Sequence, residues 1–551
     1  MMVGGQIYET LYVFHFLKRP YELIPQLADG MPEISEDHLT YIIRIKKGVL
    51  FQDDPCFPNG KGRELKAQDF VYSLKRIANI KYASQNWYSF KDKIVGLDAF
   101  REYTKQFKSE SEVGYGREVQ GVKALDDYRI QIILNRPWPQ MIETIFADTM
   151  SSPAAREAVE YYDKDIIRHP VGTGAYRLKT WQRGSYIELV KNENWRGELY
   201  PTEGGPGDEE AGYLDDAGKS VPFADRLIWR VIEEDQPAWL LFMRGEIDGM
   251  GIPKDNFNEA VKLKNREVTD EMKDRGISLK HFDDPSVFWI GFNMQDPVLG
   301  KNKPLRKALS RAFDREHFID LFLNGRGHVA HGFVAPGLDS YDPEIKKYGY
   351  SKYDLQQAGQ LLEEAKKIHG GPIPKLTLAM PGTDTFSKQY GQFIQRQFQK
   401  IEIELEVNYM DWPTYMAELN KGQLQLFSSG VSASYPDAID FLTLFGTKYF
   451  APGGNKFFYS NPDFDALLEK AEVMFPASER LELYRTMERM VMEDYPAVFT
   501  SHRISYILHH SWYKNYKPHV FSYGLSKYRN IDLADRNGYK GKLKALKKKD
   551  Q

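Results

Sequence analysis

Cysteine is almost missing from this chain: Cys56 stands alone among 551 residues. A single thiol excludes an internal disulfide and any zinc site built on cysteines. Such poverty suits a protein that folds among oxidants, as periplasmic proteins do. Long apolar runs are missing too, and none approaches the roughly 20 residues that cross a bilayer as a helix. Nor is there an excess of one charge. Lys and Arg number 74 against 77 Asp and Glu, a formal net of −3, which argues against nucleic acid as the partner. One basic cluster lies at the extreme end, residues 540–549, and reads as a solvated tail. The opening Met1-Met2-Val3-Gly4-Gly5 has no basic stretch followed by an apolar core, so no secretion signal is visible. On that reading the protein is cytoplasmic or the chain starts downstream of its true beginning.

Chemistry-bearing motifs are equally scarce. Pro170-Val171-Gly172-Thr173-Gly174 lacks the Lys-Ser/Thr of a phosphate loop and the third glycine of a dinucleotide fingerprint, and reads as a structural turn. His328 and His331 are three apart and His509 and His510 adjacent, but no carboxylate stands at ligand spacing beside either pair, so no metal site is expected. No Ser-His-Asp or two-carboxylate spacing stands out. The reading is therefore no catalytic residue, no metal and no cofactor.

What is present is a soluble globular composition, 42% hydrophobic and 27% charged, on a chain too long for one core; two or more domains are expected. Leu39, Tyr41, Ile43 and Ile45 alternate with more polar positions, a strand. From Lys66 the period changes, and Phe70, Leu74 and Ile77 share a helical face with Asp69 near its N-terminal end. Strands follow at 128–134, 186–190 and 227–232. Residues 199–222, rich in Gly, Pro, Asp and Glu, have no period and read as a surface excursion. Near 286 a second architecture begins. Pro304 opens a helix with the stripe Leu305, Ala308, Leu309, Ala312 and Phe313. Asp314 caps another helix, which Asn324-Gly325 ends. Then come a strand at 376–380, a helix carrying Phe386, Tyr390, Phe393, Ile394 and Phe398, a strand through Ile403, Leu405, Val407 and Tyr409, a short helix from Pro413 and a strand from Leu424. This β-α-β-α-β order predicts a mostly parallel sheet with helices on its faces, and ligands bind beyond the carboxyl ends of such strands. The last strand runs into Ser428-Ser429-Gly430-Val431-Ser432-Ala433-Ser434-Tyr435-Pro436-Asp437, whose small residues would let a ligand approach the backbone closely.

Several segments, all in order, carry a resemblance that runs from Gln6 to about Arg529. They are Ile7-Tyr8-Glu9-Thr10-Leu11, Leu39-Thr40-Tyr41 through Gly48-Val49-Leu50-Phe51, Ala67-Gln68-Asp69-Phe70-Val71-Tyr72-Ser73-Leu74, Pro170 to Tyr176, Gly245-Glu246-Ile247-Asp248, and Leu305 through Glu316. The chain resembles the family 5 extracellular solute-binding proteins of ABC importers, the oligopeptide-, dipeptide- and nickel-binding kind. The resemblance implies an α/β, two-lobed periplasmic-binding-protein fold of the peptide-binding type that closes over a solute. Lobe I would hold residues 1–285, with an inserted subdomain at about 13–168. Lobe II would hold 286–497, and 498–551 would return to lobe I and end in the basic tail. Hinge crossings are expected near 287–292 and 498–501. A periplasmic location follows, with the signal segment and a pocket loop upstream of Met1.

The family's binding strand maps onto Ser428 to Asp437, and within it Gly430, Val431, Ser432, Ala433, Ser434, Tyr435 and Asp437 are the candidate ligand-binding residues. Trp412 is read either as a ring lining the cleft or as a packing residue. In peptide binders an Asp just before the aromatic residue takes the ligand's ammonium; here that position is Ser434, and Asp437 stands three residues on. The implied function is capture of a peptide or peptide-like solute for a permease and an ATPase, by a monomer that binds no nucleic acid. A non-peptide solute (oligosaccharide, opine, haem or metal chelate) or presentation of ligand to a sensor remains open, as does an enzyme using the same cleft.

Overall fold

The computed structural model describes residues 3–82 and 84–549, and the side chains of these apart from 85 and 542–549. The chain divides into two compact units. Unit 1 is Met1–Pro253, Asp270–Lys280 and Leu508–Gln551; unit 2 is Lys254–Thr269 and His281–Ile507.

In unit 1, β1 (Glu33–Ile34), β2 (Thr40–Arg44), α1 (Ala67–Ala78), β3 (Val122–Asp126) and β4 (Arg129–Ile133) build an antiparallel sheet in the order β1-β2-β4-β3, with α1 packed on β3 and β4. Tyr41 and Ile43 of β2 are buried and Arg44 is exposed, the period of two that the sequence carries. Asp69 accepts the Lys66 N–H at 2.9 Å and pairs with Arg63 at 2.7 Å, so it anchors the first turn of α1 as well as favouring its dipole. A second antiparallel sheet has the order β7-β6-β5, from β5 (Tyr176–Gln182), β6 (Tyr186–Lys191) and β7 (Arg226–Arg230). The glycines ahead of β5 are structural. A Cβ on Gly172 would lie 2.1 Å from the Ile7 carbonyl oxygen, and the Gly174 N–H donates to that oxygen at 2.7 Å.

Residues 199–222 differ from the expected excursion. Tyr200 and Tyr213 are buried with Phe16, Leu17, Val221, Leu525 and Tyr528 in a small aromatic core, and buried Asp208 pairs with Lys517 at 2.5 Å. Two tyrosines thirteen positions apart in a Gly- and Asp-rich stretch leave no period, although they do the packing. The basic end belongs to a helix, Leu533–Lys549; its side chains from 542 on lie outside the described residues.

Unit 2 is built from β8 (Ser286–Phe292), α2 (Lys303–Ala312), α3 (Arg315–Leu323), β9 (Leu376–Pro381), α4 (Thr385–Gln399), β10 (Leu405–Met410), α5 (Trp412–Asn420), β11 (Leu426–Ser432), α6 (Ser478–Asp494) and β12 (Ala497–His510), the last three residues of β12 belonging to unit 1. The sheet order is β12-β8-β11-β9-β10. The parallel pairing expected from the alternation of strands and helices holds for β9 with β10 and β11; β8 lies antiparallel to both β11 and β12. The caps read from sequence are in place: Asp314 accepts the His317 N–H at 3.0 Å, and Asn324 and Gly325 take left-handed φ of 50° and 71°. Asn302 caps α2, accepting the Leu305 N–H at 3.2 Å. Leu305, Leu309, Phe313, Leu376, Phe393 and Ile394 form part of the core, each such side chain contributing about 1.5–3 kcal/mol by burial. The chain changes unit at 280/281 and at 507/508, with an excursion at 254–269. The expected crossings near 287–292 and 498–501 thus fall inside unit 2, within β8 and β12. β12 runs through 507/508 without a turn, and 280/281 falls inside another strand, Ile277–Asp283, so periodicity alone gives no mark of where one unit ends.

Candidate ligand-binding edge

The candidate residues on β11 are arranged by hydrogen-bond alternation. Residues 425 and 433 bond toward the β8 side, as donors or acceptors at 3.0 and 2.7 Å (Asn293 N–H to Gln425 O, Ala433 N–H to Pro285 O). In an antiparallel pair such residues alternate with ones whose N–H and C=O both point away. Even-numbered residues of β11 therefore face the other side. There β9 pairs only with Leu426 and Phe427. Beyond them Ser428 O accepts the Tyr415 hydroxyl at 2.7 Å, and the Ser434 N–H donates to Asp440 Oδ2 at 2.7 Å. Between these two caps, Gly430 and Ser432 are exposed and no strand covers their outward N–H and C=O groups among the described residues. Burial pushes the Tyr415 phenol up from its ordinary value, which keeps its proton available for Ser428.

Gly430 has a second reason to be glycine. It stands opposite Phe288 across β8 and β11, and a Cβ there would lie 2.3 Å from the Phe288 ring. Outward-facing pairs of this kind bring side chains closest. Gly291 likewise lies under a ring, that of Phe427, with a Cβ approach of 2.4 Å, although this pair is bonded across β8 and β11. The face above Gly430 is thus covered by an aromatic ring, and the strand's open side is its edge. Small residues were expected to bare the backbone here; the ring covers it on this face, and Gly430 and Ser432 are exposed.

The other candidates take different places. Val431 is half-buried, Ala433 and Tyr435 are buried, and Ser434 is exposed. Asp437 is buried and turned inward: it pairs with Arg480 of α6 at 2.9 Å and accepts the Ile439 N–H at 3.0 Å. Its carboxylate holds the turn after β11. Trp412, 60% exposed, opens α5 and stacks on Tyr415 at 5.8 Å, which ties it to the Ser428 cap; Asp411 caps that helix by accepting the Thr414 N–H at 3.0 Å. Sequence reading missed Phe288, Tyr415, Asp440 and Arg480. Phe288 was legible only as a buried strand residue and Tyr415 as a position of the short helix from Pro413; no period or motif marked Asp440 or Arg480.

The histidine pairs do not converge. His328 bonds Asp283 at 2.9 Å and His331 bonds Ser351 Oγ at 2.6 Å. His510 bonds the Phe242 carbonyl at 2.8 Å and stacks on Trp512. Among the described residues no three His, Cys, Asp or Glu side chains are grouped to hold a metal ion. Unit 1 contains a cavity of about 450 Å³ with a mostly apolar lining that includes Ile7, Ile77, Val171 and Trp181. The charged group on its wall, Arg76, is paired with Glu110 at 2.5 Å. No helix of the described residues is long and apolar enough to cross a membrane.

The model of the bacterial extracellular solute-binding proteins, family 5 middle region, matches residues 22–452. The chain belongs to this family. This family 5 protein is 24% identical over 496 residues to the dipeptide-binding protein of Escherichia coli, covering 87% of this chain and 81% of that one. It is 24% identical to heme-binding protein A of Haemophilus influenzae, covering 94% and 85%. It is 26% identical to the glutathione-binding protein of Pectobacterium atrosepticum, covering 90% and 83%. Among solved structures it is similar to the ABC transporter-associated periplasmic binding protein DppA of Helicobacter pylori in complex with the peptide STSA, with a TM-score of 0.74, 24% identity and coverage of 96% and 93%. The oligopeptide-binding protein AppA of Bacillus subtilis, in complex with a nonapeptide, gives a TM-score of 0.71 at 19% identity, covering 96% and 94%. The family 5 protein therefore has the α/β, two-lobed fold of periplasmic peptide-binding proteins, and its relatives are binding proteins of extracellular or periplasmic solutes.

Proposed function

We propose that the protein captures a peptide or peptide-like solute along the open edge of β11 and delivers it, in the periplasm, to the permease and ATPase subunits of an ABC importer. The observation that carries this reading is the set of outward N–H and C=O groups of Gly430 and Ser432, which no strand covers among the described residues, bounded by the Tyr415 and Asp440 caps. An extended guest adds there as a strand does, with main-chain bonds giving affinity and little dependence on side chains. Val431, Ala433, Tyr435 and the Trp412 ring flank that edge in sequence or through Tyr415.

The ligand's amino end is read weakly on this account. Ser434 supplies a hydroxyl where relatives that hold an ammonium use a carboxylate, and Asp437 is committed to Arg480. Mass spectrometry of solute released from purified protein gives the ligand's class directly. Titration calorimetry with a tripeptide and its N-acetylated form should give affinities within about tenfold of each other, and Ser434→Asp should strengthen binding of the free peptide alone, by roughly tenfold to a hundredfold for a new charge-assisted bond. Release of a solute with no peptide bond would turn the reading to a non-peptide ligand, a class already met in the haem-binding relative. Uptake by vesicles carrying the permease, dependent on this protein and on ATP, tests delivery; its absence beside tight binding would favour presentation to a sensor.

A further inference from the structure

Arg503 of β12 has its backbone fixed on both sides. Its carbonyl accepts the Asp284 N–H at 2.9 Å, and it stands in register with Gly327 of the strand Gly327–Val329. Its side chain is exposed, and its guanidinium lies over the Phe288 ring with Cζ 3.7 Å from the centroid. Among the described residues that guanidinium makes no hydrogen bond and no ion pair. Asp284 and Tyr390 are near enough to act on it electrostatically. Asp284, however, is engaged with Ser505 Oγ at 3.3 Å. Other arginines of unit 2 are spent within the fold: Arg306 and Arg315 bond main-chain carbonyls, and Arg480 pairs with Asp437.

A guanidinium held over a ring by cation–π attraction spends none of its N–H donors on that contact, and its planar fork matches a carboxylate with two parallel bonds. Phe288 in turn is the ring that covers Gly430. The unpaired cation, the ring and the open edge of β11 are therefore one continuous surface of unit 2. We propose that Arg503 is a specificity-determining residue that binds a carboxylate of the solute lying along β11. This rests on the peptide reading above and adds the chemical demand that the solute be acidic at one point. The carboxylate can be a peptide's C-terminus or an acidic side chain.

The test uses the purified full chain and three pools of tripeptides: free acids of neutral residues, the same sequences as C-terminal amides, and amides carrying one glutamate. Retention is read by native mass spectrometry for wild type, Arg503→Gln and Arg503→Lys, each first checked for an unchanged unfolding temperature. The expected result is that wild type retains the free acids at least tenfold better than the plain amides, that Arg503→Gln abolishes this preference while leaving amide retention unchanged, and that Arg503→Lys, a point charge without the fork, restores only part of it. Preference for the glutamate-bearing amides over the plain ones, lost in Arg503→Gln, would assign the carboxylate to a side chain. Equal retention of all three pools by wild type, or a preference that survives Arg503→Gln, overturns the proposal and leaves the peptide reading standing. Retention of no pool by wild type overturns the peptide reading itself, and this proposal with it.

Discussion

At the scale of single residues, two positions carry consequences that a contact map alone would understate. Gly430 lies under Phe288, so Gly430→Ala forces the ring aside in a packed sheet, a change that costs about 1–3 kcal/mol. Urea unfolding should register that loss, and Phe288→Leu added to Gly430→Ala should recover part of it by removing the ring. Arg480 and Asp437 are both nearly fully buried, at 3% and 6% side-chain exposure. Removing one partner strands the other charge, which costs about 3–5 kcal/mol. Arg480→Met should therefore lower stability more than the paired change Arg480→Met with Asp437→Asn, since Asn can still accept the Ile439 N–H. A single variant as stable as the pair would mean that Asp437 has no need of its partner.

At the scale of elements, β11 separates binding from folding along one strand. Val431 bonds toward β8, whereas Ser432 points its N–H to the uncovered edge. Proline removes a donor, and sheets tolerate it where that donor faces outward. Ser432→Pro should abolish solute binding with the unfolding midpoint nearly kept, while Val431→Pro should lower the midpoint by breaking the ladder. Calorimetry and thermal denaturation on the two variants check this; equal destabilisation would refute the alternation. The elements themselves were largely legible. Period two marked β2 and β10, period 3.6 marked α2 and α4, and the caps at Asp314 and Asn324 set the ends of α3. The candidate edge was legible as the small residues in which β11 ends and the turn after it begins. What periodicity does not hold is the partner. Nothing local says that Phe288 meets Gly430, more than a hundred residues on, or that α6 supplies the arginine that claims Asp437. The tyrosine core at 199–222 escaped for a related reason, because its packing comes from isolated rings rather than a stripe.

At the scale of the whole molecule, the two units should answer differently to pH. His509 and His510 in unit 1 and His502 in unit 2 are buried, and burial lowers each to about 4 from 6.5. The unfolded chain takes these protons below 6.5 while the folded chain refuses them. Their stabilisation is thus complete above pH 6.5 and falls as pH drops toward 4, by about 1.4 kcal/mol per pH unit for each histidine. Glu488 of α6 has the opposite sense. Burial pushes its carboxyl up to about 8 from 4.5, although it accepts the Val334 N–H at 2.8 Å. Folding holds that proton, so its contribution is complete below 4.5 and is lost as pH rises to 8. In unit 2 the two slopes oppose each other between pH 4.5 and 6.5, and stability declines from 6.5 to 8; unit 1 has no such counterweight among these groups. Scanning calorimetry from pH 4.5 to 8.5 should show unequal shifts of the unfolding transitions, and Glu488→Gln should remove the alkaline decline. An unchanged alkaline limb in that variant would rule out Glu488 as its source. The chain should also sediment as a monomer at micromolar concentration, because the proposed site lies wholly on one copy; a stable homodimer would count against this.

The same uncovered edge has a cost in solubility. A strand with free N–H and C=O groups is a template for any other extended chain, including a neighbour's, and such edges seed aggregation unless they are short or blocked. Here the Tyr415 and Asp440 caps leave room for Gly430 and Ser432 alone. That is wide enough to hold a short guest and too narrow to propagate a sheet from molecule to molecule, so saturating solute should slow aggregation on storage, and loss of the Tyr415 hydroxyl should hasten it.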